Sequence, residues 1–365
     1  MSDMTLLSVA LLGTASAVPI SNIVPLRDED GHIVQAKDGN ILQHGGRWWM
    51  YGMSYGLCQE PAGPNGCANT TVGACGFRLD HNVSLYSSKT LASGSWRLEA
   101  KNVLPAAKRP EGIYFAPKIK WHGSMGRFVL WINYLYEPGV YGFSRSQYLT
   151  ATSPSPQGPF VVASTNVSVL QLPGGDFDVF SEGADAFLIY TSHLTSPKDS
   201  HRISVEKLSP DWLGSTQMSS GYFGASGVEA PVMFKRADTY YALFDHTCCF
   251  GRGGSGVVVH TASTPLGPWK TWSQIGADTN GSSIPKAQQR SILEYRRLAS
   301  PHNSAPKPAH GVEPILIWQG NRWQSAPDGK KDHDFATWLP LKFHPATASQ
   351  PALPAQLTWQ DEFTI

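Results

Sequence analysis

One ordered pair of signatures recurs along the chain and constrains its fold more than any other feature. The first is a strand, a tight polar turn and a second strand. It occurs at residues 40–52, 117–133, 176–192 and 227–245, each time with β-branched and aromatic residues around a turn that is polar or glycine-bearing. The second follows one strand later, as a Gly/Pro or Ser/Pro turn ending in an aromatic, at Trp96, Phe160, Trp212 and Trp269. A shorter fifth hairpin is read at 313–325, with its turn at 319–321. Four-stranded units repeating every ~55–75 residues are the mark of a propeller. A β-sandwich also has many short strands, but gives no reason for the same pair of signatures to return in the same order. The sequence therefore predicts an all-β fold, a five-bladed β-propeller formed by residues 18–365 as a single domain.

Composition agrees with that reading and narrows the partners. The 365 residues include 35 Gly, 27 Pro and 12 Trp, with charged residues at 16% and a net charge of +1. Such a chain has no basic field for nucleic acid, and a neutral partner such as an oligo- or polysaccharide suits it better. Residues 5–17 form a short apolar run ending in Ala15-Ser16-Ala17, a cleavage pattern too short to span a bilayer, so residues 1–17 are read as a signal peptide. No other stretch is long enough for a membrane helix. Sequons at Asn69, Asn82, Asn166 and Asn280 fit a secreted, extracellular glycoprotein, expected as a monomer. The five cysteines match no zinc spacing. Cys58, Cys67 and Cys75 share a Gly/Pro-rich loop where at least one disulfide is expected, and the odd count leaves a thiol or a vicinal Cys248-Cys249 arrangement open.

In a propeller the first strand of every blade lines the central channel, so residues distant in sequence converge at one end. Asp38, Asp176 and Glu229 each stand at or near the head of a first strand. Glu229 lies in an uncharged run of Gly, Val, Ala and Pro, and loss of solvation there raises a carboxyl pKa. Two or three carboxylates facing one another in a neutral, aromatic cleft suit glycosidic bond hydrolysis, which needs one protonated and one ionised group. Asp178 is a rival to Asp176 on the same strand face. Among the aromatics, Trp49, Tyr114, Phe115 and Trp323 are candidate sugar platforms, although each is a natural packing residue too. The run at 251–256 lacks the Gly-Lys-Ser/Thr ending of a phosphate cradle and reads as a rim loop.

These residues resemble glycoside hydrolase family 43. Asp38-Gly39-Asn40-Ile41 with Gly46-Arg47-Trp48-Trp49 is similar to that family's Asp-Pro-x-Ile…Gly-Lys-Tyr-Tyr start. Asp176-Phe177 is similar to its Asp-Pro element, and Glu229-Ala230-Pro231 to its Glu-Ala/Gly-Pro element. Phe115-Ala116-Pro117-Lys118 is similar to its Trp-Ala-Pro-Asp element, with Lys118 in place of the aspartate. The resemblance implies a five-bladed propeller and inverting hydrolysis of plant-type glycans. It makes Asp38 the general base, Asp176 the pKa modulator and Glu229 the general acid. Gly39 and Phe177 replace the usual prolines, and Lys118 implies altered subsites. The pattern stands nearest to the exo-β-1,3-galactanase branch, where a late glutamine can replace the base. Gln288 and Gln289 lie in such a segment, with Gln289 a candidate substrate-binding residue, but Asp38 is present and preferred. No metal or cofactor is expected. Some relatives hold calcium or water through a channel histidine, for which His246, His260 and His333 are the candidates, although a core histidine is the simpler reading. The reading of another class is a carbohydrate-binding propeller without catalysis, a lectin or a pseudoenzyme.

Overall fold

The computed structural model describes residues 17–61, 66–67, 69, 71–135, 146–193, 200–296 and 313–365. The signal-peptide expectation falls almost wholly outside them. The described residues form strands and two short 3₁₀ turns, with no helix long and apolar enough to cross a membrane.

Four antiparallel sheets of four strands follow one another in sequence order. Blade one contains β2 (Ile41–His44), β3 (Arg47–Ser54), β4 (Asn82–Ser88) and β5 (Arg97–Ala100). Blade two contains β6 (Ile113–His122), β7 (Arg127–Leu135), β8 (Ser146–Ser153) and β9 (Val161–Val167). Blade three contains β10 (Gly174–Glu182), β11 (Asp185–Ser192), β12 (Arg202–Leu208) and β13 (Ser215–Ser219). Blade four contains β14 (Val228–Arg236), β15 (Thr239–His246), β16 (Val258–Ala262) and β17 (Lys270–Gln274). The fifth has three strands, β18 (Gln288–Tyr295), β19 (Ile315–Arg322) and β20 (Phe335–Pro340). The five-bladed expectation holds.

The second signature has a physical role. Trp96, Phe160 and Trp212 are fully buried, and each stands just before the outer strand of its blade. The Trp131 indole donates to the Trp212 carbonyl (2.8 Å), and the Trp212 indole to the Ala184 carbonyl (2.9 Å), so these aromatics fill a gap and satisfy backbone acceptors together. The ring is closed at the termini. Strand β1 (Pro19–Ser21) pairs antiparallel with β21 (Glu362–Thr364), and the Asn22 side chain exchanges hydrogen bonds with the Trp338 backbone of β20 (2.9 and 2.8 Å).

The fifth unit corrects the sequence reading. Residues 319–321 lie inside β19 rather than in a turn, and the inner strand is β18. Gly320 was read as a turn former, yet a Cβ there would sit 2.5 Å from the Trp318 ring and 2.7 Å from the Gln288 carbonyl. It is glycine because the Trp318 ring and the neighbouring strand leave no room for a side chain.

Candidate active site

The inner strands share an irregularity that aims their side chains. In blades two to five the register breaks at the same end: between Phe115 and Lys118, Gly174 and Phe177, Glu229 and Val232, and Gln289 and Ser291. Ala116 and Ala230 take positive φ (49° and 54°), as does Asp38 (58°) ahead of β2. Such bulges turn a side chain out of the ladder, and left-handed non-glycine residues persist only where surrounding packing holds them. Here they open a cavity of about 420 Å³ lined by Asp38, Lys118, Asp176, Glu229, Gln288 and Arg290 among others. All five blades contribute to it.

Glu229 sits on an apolar wall beside Ala230, Pro231, Phe250 and Cys249. Its Oε1 accepts the Cys248 backbone N–H (2.7 Å) and the Gln288 amide (2.9 Å). Burial raises its pKa, and those donors pull partly back. Asp176 is raised well above the carboxylate range, first by burial and then by the nearby Glu229 and Asp38 charges. Gln288 spans the pair: its amide also reaches Asp176 Oδ2 (3.4 Å), and its carbonyl accepts the Trp323 indole (2.7 Å). Two carboxylates pressed together in a dry wall hold a proton between them.

The Loop 248–250 that supplies the Cys248 N–H is anchored by a disulfide, Cys67–Cys249, that crosses from the first blade's loop, and a second bridge joins Cys58 to Cys75. The expected disulfide in the 58–75 loop is therefore present. Cys248 is the remaining free thiol among the described residues.

Asp38 faces this wall from a different environment. Its Oδ2 accepts the Tyr55 hydroxyl, and its Oδ1 accepts the Asn321 amide (2.5 Å). Burial raises its pKa, but the Tyr55 bond and the charges of Lys331, Lys118 and Arg290 oppose that. The Lys118 ammonium donates to the Asp38 carbonyl (2.9 Å) and the Arg290 carbonyl (2.5 Å), and burial brings its own pKa down to about 8. Lys331 lies behind, its ammonium 3.5 Å from the Phe250 ring centroid and 4.0 Å from that of Trp323. Gly39 departs from the proline pattern for a steric reason: a Cβ there would lie 1.7 Å from the Tyr51 carbonyl oxygen.

On the third side His193 and His201 border the cavity and share a hydrogen bond (Nδ1 to Nε2, 2.7 Å). Burial lowers both pKa values, that of His193 to about 3, so the imidazoles are neutral and offer both donor and acceptor.

The other sequence candidates divide. Phe115 and Gln289 border the cavity. Gln289 is spent on structure: its amide donates to the Ala230 and Leu243 carbonyls (2.7 and 2.5 Å), and its carbonyl accepts the Trp318 indole (2.7 Å). Trp49 and Tyr114 pack in the core between blades one and two, the Trp49 indole donating to the His44 carbonyl (3.0 Å) and the Tyr114 hydroxyl to that of Pro110. Neither borders the cavity, so the structure does not support them as sugar platforms. Trp323 stands behind Gln288. Asp178 is buried off the cavity, accepting its neighbour Val179's N–H (2.9 Å), which leaves the strand head to Asp176. His260 is stacked on Phe244 (4.0 Å between centroids), and His333 is paired with Asp328. Among the described residues no group of three or more His, Cys, Asp or Glu could hold a metal ion. Reading the sequence alone missed Tyr55, Asn321, Arg290 and the His193/His201 pair. None of these carried a local signal, since Arg290 stands in a mixed strand, Gln-Gln-Arg-Ser-Ile-Leu-Glu-Tyr.

No protein-family model and no curated protein matches the sequence. Solved structures do match. A family 43 β-1,3-galactosidase aligns at a TM-score of 0.68 and 20% identity, over 95% of this chain and 64% of its own. An exo-β-1,3-galactanase from Phanerochaete chrysosporium, solved with β-1,3-galactotriose, aligns at 0.66 and 18% identity, over 95% and 68%. One from Clostridium thermocellum aligns at 0.68 and 21%, over 94% and 66%. The chain thus spans less than two thirds of the first of these proteins. What it shares with them, at such identities, is the fold: the five-bladed propeller of family 43 glycoside hydrolases.

Proposed function

We propose that the protein is a secreted glycoside hydrolase that cleaves a galactan-like or other hemicellulosic glycan with inversion. The observation that carries this reading is the convergence of three carboxyl groups from three blades on one cavity, in unlike surroundings. A lectin needs hydrogen-bond partners for hydroxyl groups but no buried carboxyl pair holding a proton. Asp176 and Glu229 form such a pair.

In this mechanism Glu229 gives its proton to the glycosidic oxygen as the bond to the anomeric carbon breaks. Both hydrogen bonds on Oε1 come from N–H donors, so the acid proton belongs on Oε2. Glu229 and Asp176 share that proton, since ionising one makes the other harder to ionise. Asp38 takes a proton from the water that attacks the anomeric carbon. Its oxygens each accept one hydrogen bond from protein and retain acceptor capacity for that water. Gln288 is a poor substitute for the base, since an amide is not basic and its carbonyl is committed to Trp323. The disulfides agree with an oxidising, extracellular location.

The test is a screen of nitrophenyl glycosides and of β-1,3-galactan, arabinan and xylan, with Glu229→Gln as control and NMR of the first-formed sugar. Release of a sugar of inverted anomeric configuration is expected, lost in the variant on the polysaccharides and only weakened on the nitrophenyl glycosides. Binding without cleavage of any substrate would leave the lectin reading in its place.

A further inference from the structure

A second concavity lies behind the wall formed by Phe250 and Trp323. It is a groove of about 490 Å³ bordered by Arg252, Lys286 and Arg322, by Trp323 and Gln324, and by Ser282, Ser283 and Ser325. No Asp or Glu lines it. The chain as a whole carries a net charge of only +1, so three cations on one groove are not a sample of a basic surface. Among the described residues none of the three forms an ion pair with a carboxylate. Arg252 instead donates to the Gln324 carbonyl (3.2 and 3.3 Å), and Arg322 donates to the Asn22 carbonyl (2.6 Å).

These cations are held in place. One indole, Trp359, has the Lys286 ammonium 5.0 Å and the Arg322 guanidinium 5.1 Å from its centroid. Arg322 also lies 5.6 Å from the Phe335 ring. Asp334, the carboxylate whose charge Arg322 feels, is buried and occupied by the backbone N–H groups of Gln324, Ser325 and Ala326 (2.7–3.0 Å).

The groove and the candidate active site share a wall. Phe250 borders the cavity while Arg252, two residues on, borders the groove. The Gln324 amide donates to the Phe250 carbonyl (3.2 Å), and the Trp323 indole donates to Gln288 in the cavity. We infer that the groove is a subsite for an anionic sugar of the glycan, one carrying a carboxylate or a sulfate, with Arg252, Lys286 and Arg322 pairing with the acid group. Serine hydroxyls meet the ring hydroxyls. Arginine is suited to either anion because its fork donates two parallel hydrogen bonds. This inference rests on the carbohydrate reading of the neighbouring cavity.

The test compares three ligands: β-1,3-galactotriose, the same trisaccharide with one galactose oxidised at C6 to a uronate, and the same trisaccharide sulfated at O6. Dissociation constants are measured by calorimetry in the Glu229→Gln background, and cleavage is followed with the unaltered chain. The readout is the ratio of neutral to acidic dissociation constants, in which a general loss of folding cancels. At low salt one or both acidic forms should bind about 10-fold more tightly than the neutral one, as charge-assisted hydrogen bonds do. Which of them gains identifies the anion. That ratio should fall to about 1 in Arg252→Ala/Lys286→Ala, fall further below it in Lys286→Glu, and collapse as ionic strength rises. Equal binding of all three ligands, with the neutral one cleaved, overturns the groove and leaves the hydrolase reading intact. An acidic preference indifferent to both variants overturns it too. Preference that depends on Lys286, with no ligand cleaved, keeps the groove and overturns hydrolysis. Binding of none of the three overturns both.

Discussion

The cavity has two unlike walls, and their difference assigns the chemistry. Around Asp38 the protein gathers cations and O–H or N–H donors: Lys118, Arg290 and Lys331 act by charge, and Tyr55 and Asn321 by hydrogen bonds. Around Glu229 it gathers apolar side chains, a disulfide and a second carboxyl group. Cations stabilise an ionised carboxylate, whereas a dry wall and a like charge stabilise a protonated one. In the proposed mechanism this contrast makes Asp38 the base and Glu229 the acid. Burial raises both. What opposes it at Asp38 is the Tyr55 hydroxyl and three cations, and at Glu229 neutral N–H donors alone.

The hardest blow to this contrast is to exchange each carboxyl for its amide. Glu229→Gln removes the proposed proton donor and is expected to lower kcat by about 10³–10⁴-fold on an unactivated galactan, within the usual range for general acids. On a nitrophenyl glycoside, whose leaving group needs little protonation, the loss should shrink to about 10-fold. Asp38→Asn is expected to cost about 10²–10⁴-fold on both substrates, because water activation does not depend on the leaving group. A leaving-group dependence in Asp38→Asn instead would reverse the roles of the two walls.

The disulfide belongs to one wall only, which makes it a sharper probe. Cys67–Cys249 closes a sequence separation of 182 residues and fixes the loop whose Cys248 N–H reaches Glu229 Oε1. Cys67→Ser/Cys249→Ser should destabilise the fold by about 2–5 kcal/mol and lower kcat about 10-fold. Loss of N–H donors to the ionised form raises the pKa of Glu229, so the basic limb of the kcat/KM profile moves to higher pH. The acidic limb, set by Asp38, should stay. Denaturant unfolding and a pH–rate series read the two effects separately.

The opposite wall answers to Lys118. Its positive charge lowers the pKa of Asp38 and also that of Asp176, so Lys118→Met should raise the Asp38 pKa and move the acidic limb upward, with a smaller rise of the basic limb through the Asp176–Glu229 pair. The variant also strands the Asp38 and Arg290 carbonyls, at about 1–3 kcal/mol for each buried acceptor. An acidic limb that does not move would mean that Lys118 serves the fold without tuning Asp38.

Much of one wall was readable before the structure and little of the other. The blade repeat was legible because it is written locally: a hairpin, a turn and an aromatic each have a sequence pattern, and Trp96, Phe160 and Trp212 occupy the places that pattern assigns them. Asp38, Asp176 and Glu229 were legible through their positions at strand heads. The cations were not. Lys118 stood out as an oddity in a motif, but nothing local says that its ammonium reaches the carbonyls of Asp38 and Arg290, 80 and 172 residues away. Tyr55 and Asn321 likewise meet Asp38 only through the ring closure. The fifth blade was misread because residues 296–314 separate its first two strands, so no short turn announces the hairpin. That Trp49 and Tyr114 lie off the cavity was not legible for a related reason: an aromatic beside a motif looks the same whether it faces the channel or the next blade.

The smallest effect is the most diagnostic of the contrast, because it is read from stability rather than activity. A carboxyl whose pKa is raised on folding binds its proton more tightly in the native state. Its contribution is fully present below the unfolded pKa, near 4, and is lost as pH rises through the folded value. At pH 7 the folded chain therefore carries a cost at Asp176 that an amide avoids. Asp176→Asn should raise stability by about 0.5–2 kcal/mol at pH 7–8, and the gain should vanish below about pH 4, where both states of the native chain are protonated. Activity should fall in the same variant, since Glu229 loses the carboxyl with which it shares a proton. Asp38→Asn should gain less, because the amide also forfeits the attraction of Lys331, Lys118 and Arg290. Urea unfolding of both variants at pH 4, 6 and 8 measures this. If the Asp38 variant gains as much as the Asp176 variant, the cations do not distinguish the two walls.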